Sequence, residues 1–289
     1  MSTVEHSGAG SGGLVGPGGD SGRDPVRTVV RGIGELLITA GLVVLLFVVY
    51  EVYVTDIMSA AKQRDATAEL DQQWQQSTPE AERQRTENYN RPEGQGIAKM
   101  YIPAFGADYA FTILQGTTEE TLEVGPGRYT DSGEPGAPGN FAVAGHRVGK
   151  GAPFNDIDLL ESCDAIVVET QYSWFVYRVL PKRDEVASWA TTKGADPRCA
   201  GTGPLGGEYS GVVGQQIVAP SDGSVILPVP GRADVRPDKG QEAALMTLTT
   251  CHPRFSDRER LIVHAVMVKQ WAKNPDQPGE TPPELKETS

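Results

Sequence analysis

Cysteine is scarce in this 289-residue chain, which contains three: Cys163, Cys199 and Cys251. They form no CxxC and no Cys/His cluster, which excludes a structural zinc site and a disulfide-dense miniature scaffold. Basic residues are also in deficit. Lys and Arg number 26 against 38 Asp and Glu, giving a formal net charge of −12 and a pI near 4.9. That balance excludes nucleic acid as a partner. Histidine occurs four times, at His6, His146, His252 and His264, so acid–base chemistry near neutral pH has few candidates. Long apolar runs are missing as well, with one exception.

The exception is Ile33 to Val54, IGELLITAGLVVLLFVVYEVYV. As a helix, this stretch rises about 33 Å, enough to cross the hydrocarbon core of a bilayer. Glu35 and Glu51 sit near its ends, and Tyr50 and Tyr53 suit an interface. It lacks the short core and small-residue cleavage site of a signal peptide, so a retained transmembrane helix is expected over residues 31–54. Arg23, Arg27 and Arg31 precede the span, whereas Lys62 and Arg64 follow at a distance. The bias predicts a single-pass plasma-membrane protein with its N-terminus inside and its C-terminal domain outside. Residues 1–30, rich in Gly and Ser, read as a disordered cytoplasmic segment. Residues 55–95 read as a polar stalk, a helical spacer interrupted at Pro79. Residues 272–289 read as a disordered Pro-rich tail.

Between stalk and tail, residues 96–271 carry strand signals. AKMYIPAFG and YAFTILQG read as strands joined by a turn at Gly106–Asp108. Thr117–Glu123 reads as a short helix and GPGRYTDSGEPGAPGN as loop. Phe141–Ala144 is a short strand running into Gly145 and His146, and Asp156–Leu160 is a short helix. DAIVVET, SWFVYRVL and SVILPVPG are further strands. The expected fold is mostly β: about eight strands closing into a barrel, with short helices.

The stretch ALMTLTTCHPRFSDRERLIVHAVMVK, Ala244–Lys269, concentrates the chemistry. Two apolar runs flank a loop containing Pro253, Ser256 and Asp257. If the runs pair antiparallel, Cys251 closes one strand and Arg260 opens the other, setting a thiol beside a guanidinium. A thiol that attacks a carbonyl creates an oxyanion, which a fixed cation stabilises. Taken alone, His146 at a strand end suits a structural role, and Cys251 suits a buried inert thiol. Arg254 and Arg258 read as solvated loop charges. His252 adjoins Cys251 but points to the opposite strand face, and His264 reads as a satisfied residue inside its sheet.

TLTTC followed by an Arg at the head of the next strand resembles the active-site signature of the sortases. TLTTCHPRFSDRERLIVHA is most similar to the class E sortases of actinobacteria. The resemblance covers roughly Gly96–Val268 and extends to NFAVAGHR and the N-terminal anchor. It implies a sortase-like eight-stranded barrel and a cysteine transpeptidase in which Cys251 is the nucleophile, His146 the acid–base and Arg260 the oxyanion partner. The implied substrates are surface proteins with a C-terminal LPXTG- or LAXTG-like sorting signal, cut between Thr and Gly. The implied acceptor is a cell-wall amine of a peptidoglycan precursor. No cofactor or metal is required. A cysteine peptidase that releases its substrate stands as an alternative, because hydrolysis passes through the same acyl enzyme. A non-catalytic membrane-anchored binding domain is the other.

Two features depart from the resemblance. Ala187–Ile217 is longer than the family pattern and reads equally as a specificity wall, a lid or an inert insertion. Cys163 stands where class E sortases tend to carry Gly before the Asp, and Cys199 lies in the extended loop. Outside the cell these two are a candidate disulfide, closing a loop of about 35 residues with a stabilisation of about 3–4 kcal/mol.

Overall fold

The computed structural model describes residues 25–50, 54–78, 91–235, 237, 242–274 and 279–288. The N-terminal residues up to position 24 and the stalk around Pro79 lie outside the described residues. The chain divides into two units, Met1–Val48 and Val49–Ser289. Helix α1, Pro25–Val49, is long and apolar enough to cross a membrane and buries none of its residues. It begins ahead of the expected boundary, so residues 25–30 are helical rather than disordered. Proline suits a first helical turn because its missing N–H has no partner there, and no breaker follows. The α-helical part ends at Val49, Tyr50 and Val54 have π-helical geometry, and residues 51–53 lie outside the described ones.

The stalk is corrected by the structure. Helix α2, Thr55–Gln76, is no free spacer but packs on the barrel strands β1 (Gly96–Tyr101) and β2 (Ala110–Gln115). Leu70 is buried against them, and Lys99 pairs with Asp71 at 2.6 Å. The central contact is Gln63. Its amide donates to the carbonyl of Thr112 at 3.0 Å and accepts from the Thr112 N–H at 2.9 Å. A side-chain amide thus stands in for a neighbouring strand along an edge of β2 that would otherwise be bare. Polar composition hid this helix, because its seam is built from amides and hydroxyls rather than an apolar stripe.

The remaining strands are β3 (Gly127–Arg128), β4 (Gly139–Ala144), β5 (Ala165–Glu169), β6 (Ser173–Val179), β7 (Gln215–Val218), β8 (Ala244–His252) and β9 (Glu259–Ala272). The sheet runs β6-β5-β1-β2-β3-β4-β8-β9, and a β6–β9 pairing closes it into a barrel of eight strands. A ninth strand, β7, lies beside β9 outside the ring. The expected strand SVILPVPG is instead a 3-10 turn, Gly223–Ile226, with Asp222 accepting from the Ser224 N–H. Pro228 and Pro230 leave that stretch without the donors a strand needs. β7 went unread because QQIV is short, half polar and placed inside the extended loop.

Alternation sorts the residues. Phe141, Val143, Met246, Leu248, Leu261, Val263 and Ala265 fill the interior. The opposite parity, including Leu245 and Val266, faces outward, where Tyr209 and Val212 of the extended loop cover it. That loop is tied down by a Cys163–Cys199 disulfide with Cα atoms 5.0 Å apart, and Trp189 packs against the bridge. Cys163 has φ 77°, a left-handed conformation that favours glycine. A glycine, which the family resemblance implies at this position, would adopt that geometry without strain.

The tail is also corrected. Residues 275–278 lie outside the described ones, but Pro283–Lys286 forms a 3-10 turn docked on the barrel. Glu284 is buried and pairs with Lys269. Glu287 accepts from Nη2 of the buried Arg178 at 2.8 Å, and Leu285 packs on the cluster around Trp174. A buried guanidinium needs carboxylates, and the acidic tail supplies them.

Replacing Gln63 by Ala leaves two buried backbone groups of Thr112 without partners. Thermal and denaturant unfolding of the detergent-solubilised chain should show a loss of about 2 kcal/mol or more. Unchanged stability would mean that α2 does not complete the sheet.

Candidate active site

The site is assembled by register. β4 and β8 run parallel, from Gly139 opposite Ala244 to Ala144 opposite Thr249. Just beyond the ladder, the Gly145 N–H donates to the Thr249 carbonyl at 3.1 Å. The Thr250 hydroxyl donates to the Gly145 carbonyl across a separation of 105 residues. The same offset brings His146 opposite Cys251. On the other side, β8 and β9 pair antiparallel with Cys251 opposite Arg260, and β9 pairs with β7 with Arg260 opposite Val218. Directly opposed residues share a face. Cys251, Arg260 and Val218 therefore lie in one row across β8, β9 and β7, and His146 follows two residues past the last β4–β8 pair.

Gly145 is required by close packing. A Cβ there would meet the Phe154 ring at 2.6 Å, while the Phe154 N–H donates to the His146 carbonyl at 3.0 Å. The turn after β4 is thereby folded back beneath His146. His146 and Cys251 line one cavity of about 300 Å³, with Arg147 and Val148 on the histidine side and Phe255, Ser256 and Asp257 from the β8–β9 loop. Cys251 is the free cysteine and is half-buried. Nε2 of His146 is buried and has no hydrogen-bond partner among the described residues. A buried, unpaired ring nitrogen beside a free thiol is a costly arrangement that suits proton transfer to a bound group. Burial holds the His146 imidazole below its usual range, and the Lys150 ammonium adds to this. Glu119 and Glu123 pull the other way.

Arg260 adjoins the cavity without lining it. Its Nη1 donates to the carbonyls of Asp257 at 2.8 Å and Glu259 at 3.1 Å. Among the described residues only Nη1 is engaged, which leaves the other donors of the fork for a ligand. Arg254, read from sequence as a solvated charge, instead pins the loop. It pairs with Asp156 at 2.7 Å and donates to the Asn155 carbonyl at 3.0 Å. The loop holds Phe255 83% exposed with φ 63°, at the rim of the cavity.

The other imidazoles are spoken for. His264 is fully buried, and desolvation lowers its pKa to about 3. The Asn140 amide donates to the carbonyls of Val225 and Leu227, so its oxygen accepts from the Thr247 hydroxyl at 2.7 Å. Thr247 then accepts from Nδ1–H of His264 at 2.8 Å, and Nε2 accepts from Gln216 at 3.2 Å. Every polar atom of this neutral ring is used, as expected for a sheet residue. His252 meets Nη1 of Arg147 at 3.0 Å through Nδ1. Arg147 is the residue that sequence reasoning passed over. It carries no motif signal beyond its place after His146, yet it is 4% exposed and pairs with Asp158 at 2.9 Å. Among the described residues no group of three or more His, Cys, Asp or Glu is placed to hold a metal ion.

A family profile described as Sortase domain matches residues 100–268. The chain is 32% identical over 268 residues to sortase SrtE1 of Streptomyces coelicolor, covering 89% of this chain and 62% of that protein. It therefore spans less than two thirds of that relative's length. It is 28% identical over 279 residues to sortase SrtE2 of the same organism, covering 93% of this chain and 94% of the relative. Among solved structures, the SrtF sortase from Corynebacterium diphtheriae is 45% identical with a TM-score of 0.59. The match covers 68% of this chain and 95% of that one.

The His146 environment yields a titration test. In the detergent-solubilised chain, NMR titration of the His146 ring should give a midpoint below 6.5, and Lys150→Gln should raise it. A lowered folded midpoint means that the unfolded chain takes the proton first. The stability contributed by neutral His146 is present above the unfolded midpoint and declines as pH falls through the folded one. A wild-type midpoint above 6.5, or a downward shift in the variant, would contradict the assigned environment.

Proposed function

The chain belongs to the sortase family, and from that premise we propose that it is a membrane-anchored cysteine transpeptidase working through Cys251, His146 and Arg260. The observation that carries the proposal is the shared cavity of His146 and Cys251 at the ends of two parallel strands, with Arg260 directly opposite Cys251 on the next strand. The Cys251 thiol passes its proton to His146, and Sγ attacks the carbonyl carbon of the Thr–Gly bond in an LPXTG- or LAXTG-like sorting signal. Free donors of Arg260 stabilise the oxyanion. The tetrahedral adduct collapses to a thioester, the C–N bond breaks, and His146 gives a proton to the departing glycyl amine. An amine of a peptidoglycan precursor then attacks the thioester. His146 takes its proton, a new amide forms and the Cys251 thiolate leaves. The lowered proton affinity of His146 helps the first proton delivery and leaves a neutral base for the second half.

The partners are surface proteins bearing the sorting signal, the precursor amine and the lipid bilayer around α1. Arg23 ahead of α1, with Arg27 and Arg31 in its first two turns, supports an N-terminus inside and a catalytic unit outside.

With a quenched sorting peptide, Cys251→Ala should abolish cleavage and His146→Ala should lower it by several orders of magnitude. His252→Ala should cost much less. Adding a glycyl amine should convert the released acid product into the amide. Turnover by Cys251→Ala, or products indifferent to added amine, would sink the reading. For topology, protease added to intact wall-stripped cells should digest the unit after α1 and spare the N-terminus. Protection of that unit would reverse the orientation.

A further inference from the structure

The β4–β8 ladder ends one residue before the chemistry begins. Past the bonds of Gly145 to Thr249 and Thr250, no ladder bond joins His146 to Cys251. The spacing between acid–base and nucleophile must therefore be set by something else. The hydrogen bonds that next cross between the two segments come from Arg147. Its Nη1 lies 3.0 Å from Nδ1 of His252 and 3.5 Å from the carbonyl oxygen of Cys251. Its Nη2 pairs with Asp158 Oδ2 at 2.9 Å.

A guanidinium only donates. The bond to His252 therefore fixes Nδ1 as the acceptor and puts that ring's proton on Nε2. Arg147 is buried to 4% exposure, and a charge so buried is retained only where its partners are fixed in place. Asp158 anchors it from the 3-10 turn Ile157–Leu159. Asp158 also lies 3.9 Å from Arg254, whose other bonds pin the β8–β9 loop.

We infer that Arg147 is the positioning residue of the transfer reaction: its backbone continues directly from His146, and its side chain grips Cys251 and His252. One rigid fork spans both strands, with Asp158 bracing it from behind. The inference rests on the reading of Cys251 and His146 as the reacting pair. Lysine would keep the charge and reach Asp158, but a single ammonium cannot bridge that carboxylate, the imidazole and the carbonyl with the same geometry. A misplacement of about 1 Å between reacting groups costs roughly 100-fold in rate.

The test uses the full chain in detergent, with Arg147→Lys, Arg147→Gln and Asp158→Asn beside wild type. The first readout needs no substrate: the rate of Cys251 alkylation by iodoacetamide as a function of pH. In wild type the profile should carry a step at the His146 midpoint that His146→Ala removes. The Arg147 variants should lose that step while retaining cooperative unfolding, and the ¹⁵N signals of His252 should move away from the single Nε2–H tautomer. The second readout is turnover of the sorting peptide. There kcat should fall about 10- to 100-fold, with KM within about threefold. If Arg147 variants fail to fold, Asp158→Asn, at a half-exposed carboxylate, should give the same changes at smaller size. A folded Arg147 variant with wild-type alkylation profile and wild-type kcat would overturn the inference, as would an Asp158→Asn protein unaltered in both the profile and the His252 signals. A wild-type chain that shows the step but does not turn over the peptide would refute the functional reading instead. The positioning role would then stand or fall on the alkylation profile alone.

Discussion

One strand serves three neighbours. β9 pairs with β8 along one edge, and along the other it pairs first with β7 and then with β6. The β6 pairing closes the barrel, and the β8 pairing sets Arg260 across from Cys251. These are consequences of a single register. A slip of one residue along β9 would turn Arg260 toward the interior and Leu261 toward solvent. Leu261, Val263 and Ala265 sit in the core with almost no exposure, so the slip would expose the apolar set at once. The placement of the guanidinium is thus enforced by burial on the opposite face of the same strand.

The outer surface follows another logic. Where the barrel leaves polar backbone or a buried charge, a neighbouring segment brings a polar side chain to it. Gln63 completes the edge of β2, the tail carboxylates neutralise Arg178, and Asp158 neutralises Arg147. Each contact is worth little unless its partner is already in place, and each is expensive to break from one side. The elements so attached, α2 and the tail, lie beyond the barrel at both ends of the chain yet belong to its folded unit.

This division explains what the sequence disclosed. Nearly continuous apolar runs such as LIVHAVMV and SWFVYRV announced β9 and β6 because their core contacts are written in residue type. The site was legible for the same reason: TLTTC and the head of β9 are adjacent in a hairpin, and NFAVAGH shows a strand stopping at a histidine. The α2 seam, the docked tail and Arg147 were not legible. Their partners are far away in sequence, and glutamine, glutamate and arginine are ordinary surface residues until a structure places their partners. SVILPVPG misled in the other direction. Its composition suits a strand, but its prolines remove the donors a ladder needs.

The positions of the three cysteines along the chain bear on how the enzyme matures. Cys199 precedes Cys251 by about fifty residues, so synthesis delivers the structural pair first. At ordinary synthesis rates the interval is about 3–10 s, which overlaps the faster end of disulfide formation. Under the proposed topology, that order lets the structural pair close before Cys251 appears. Loss of either structural cysteine would instead leave an unpaired thiol already present when Cys251 is made.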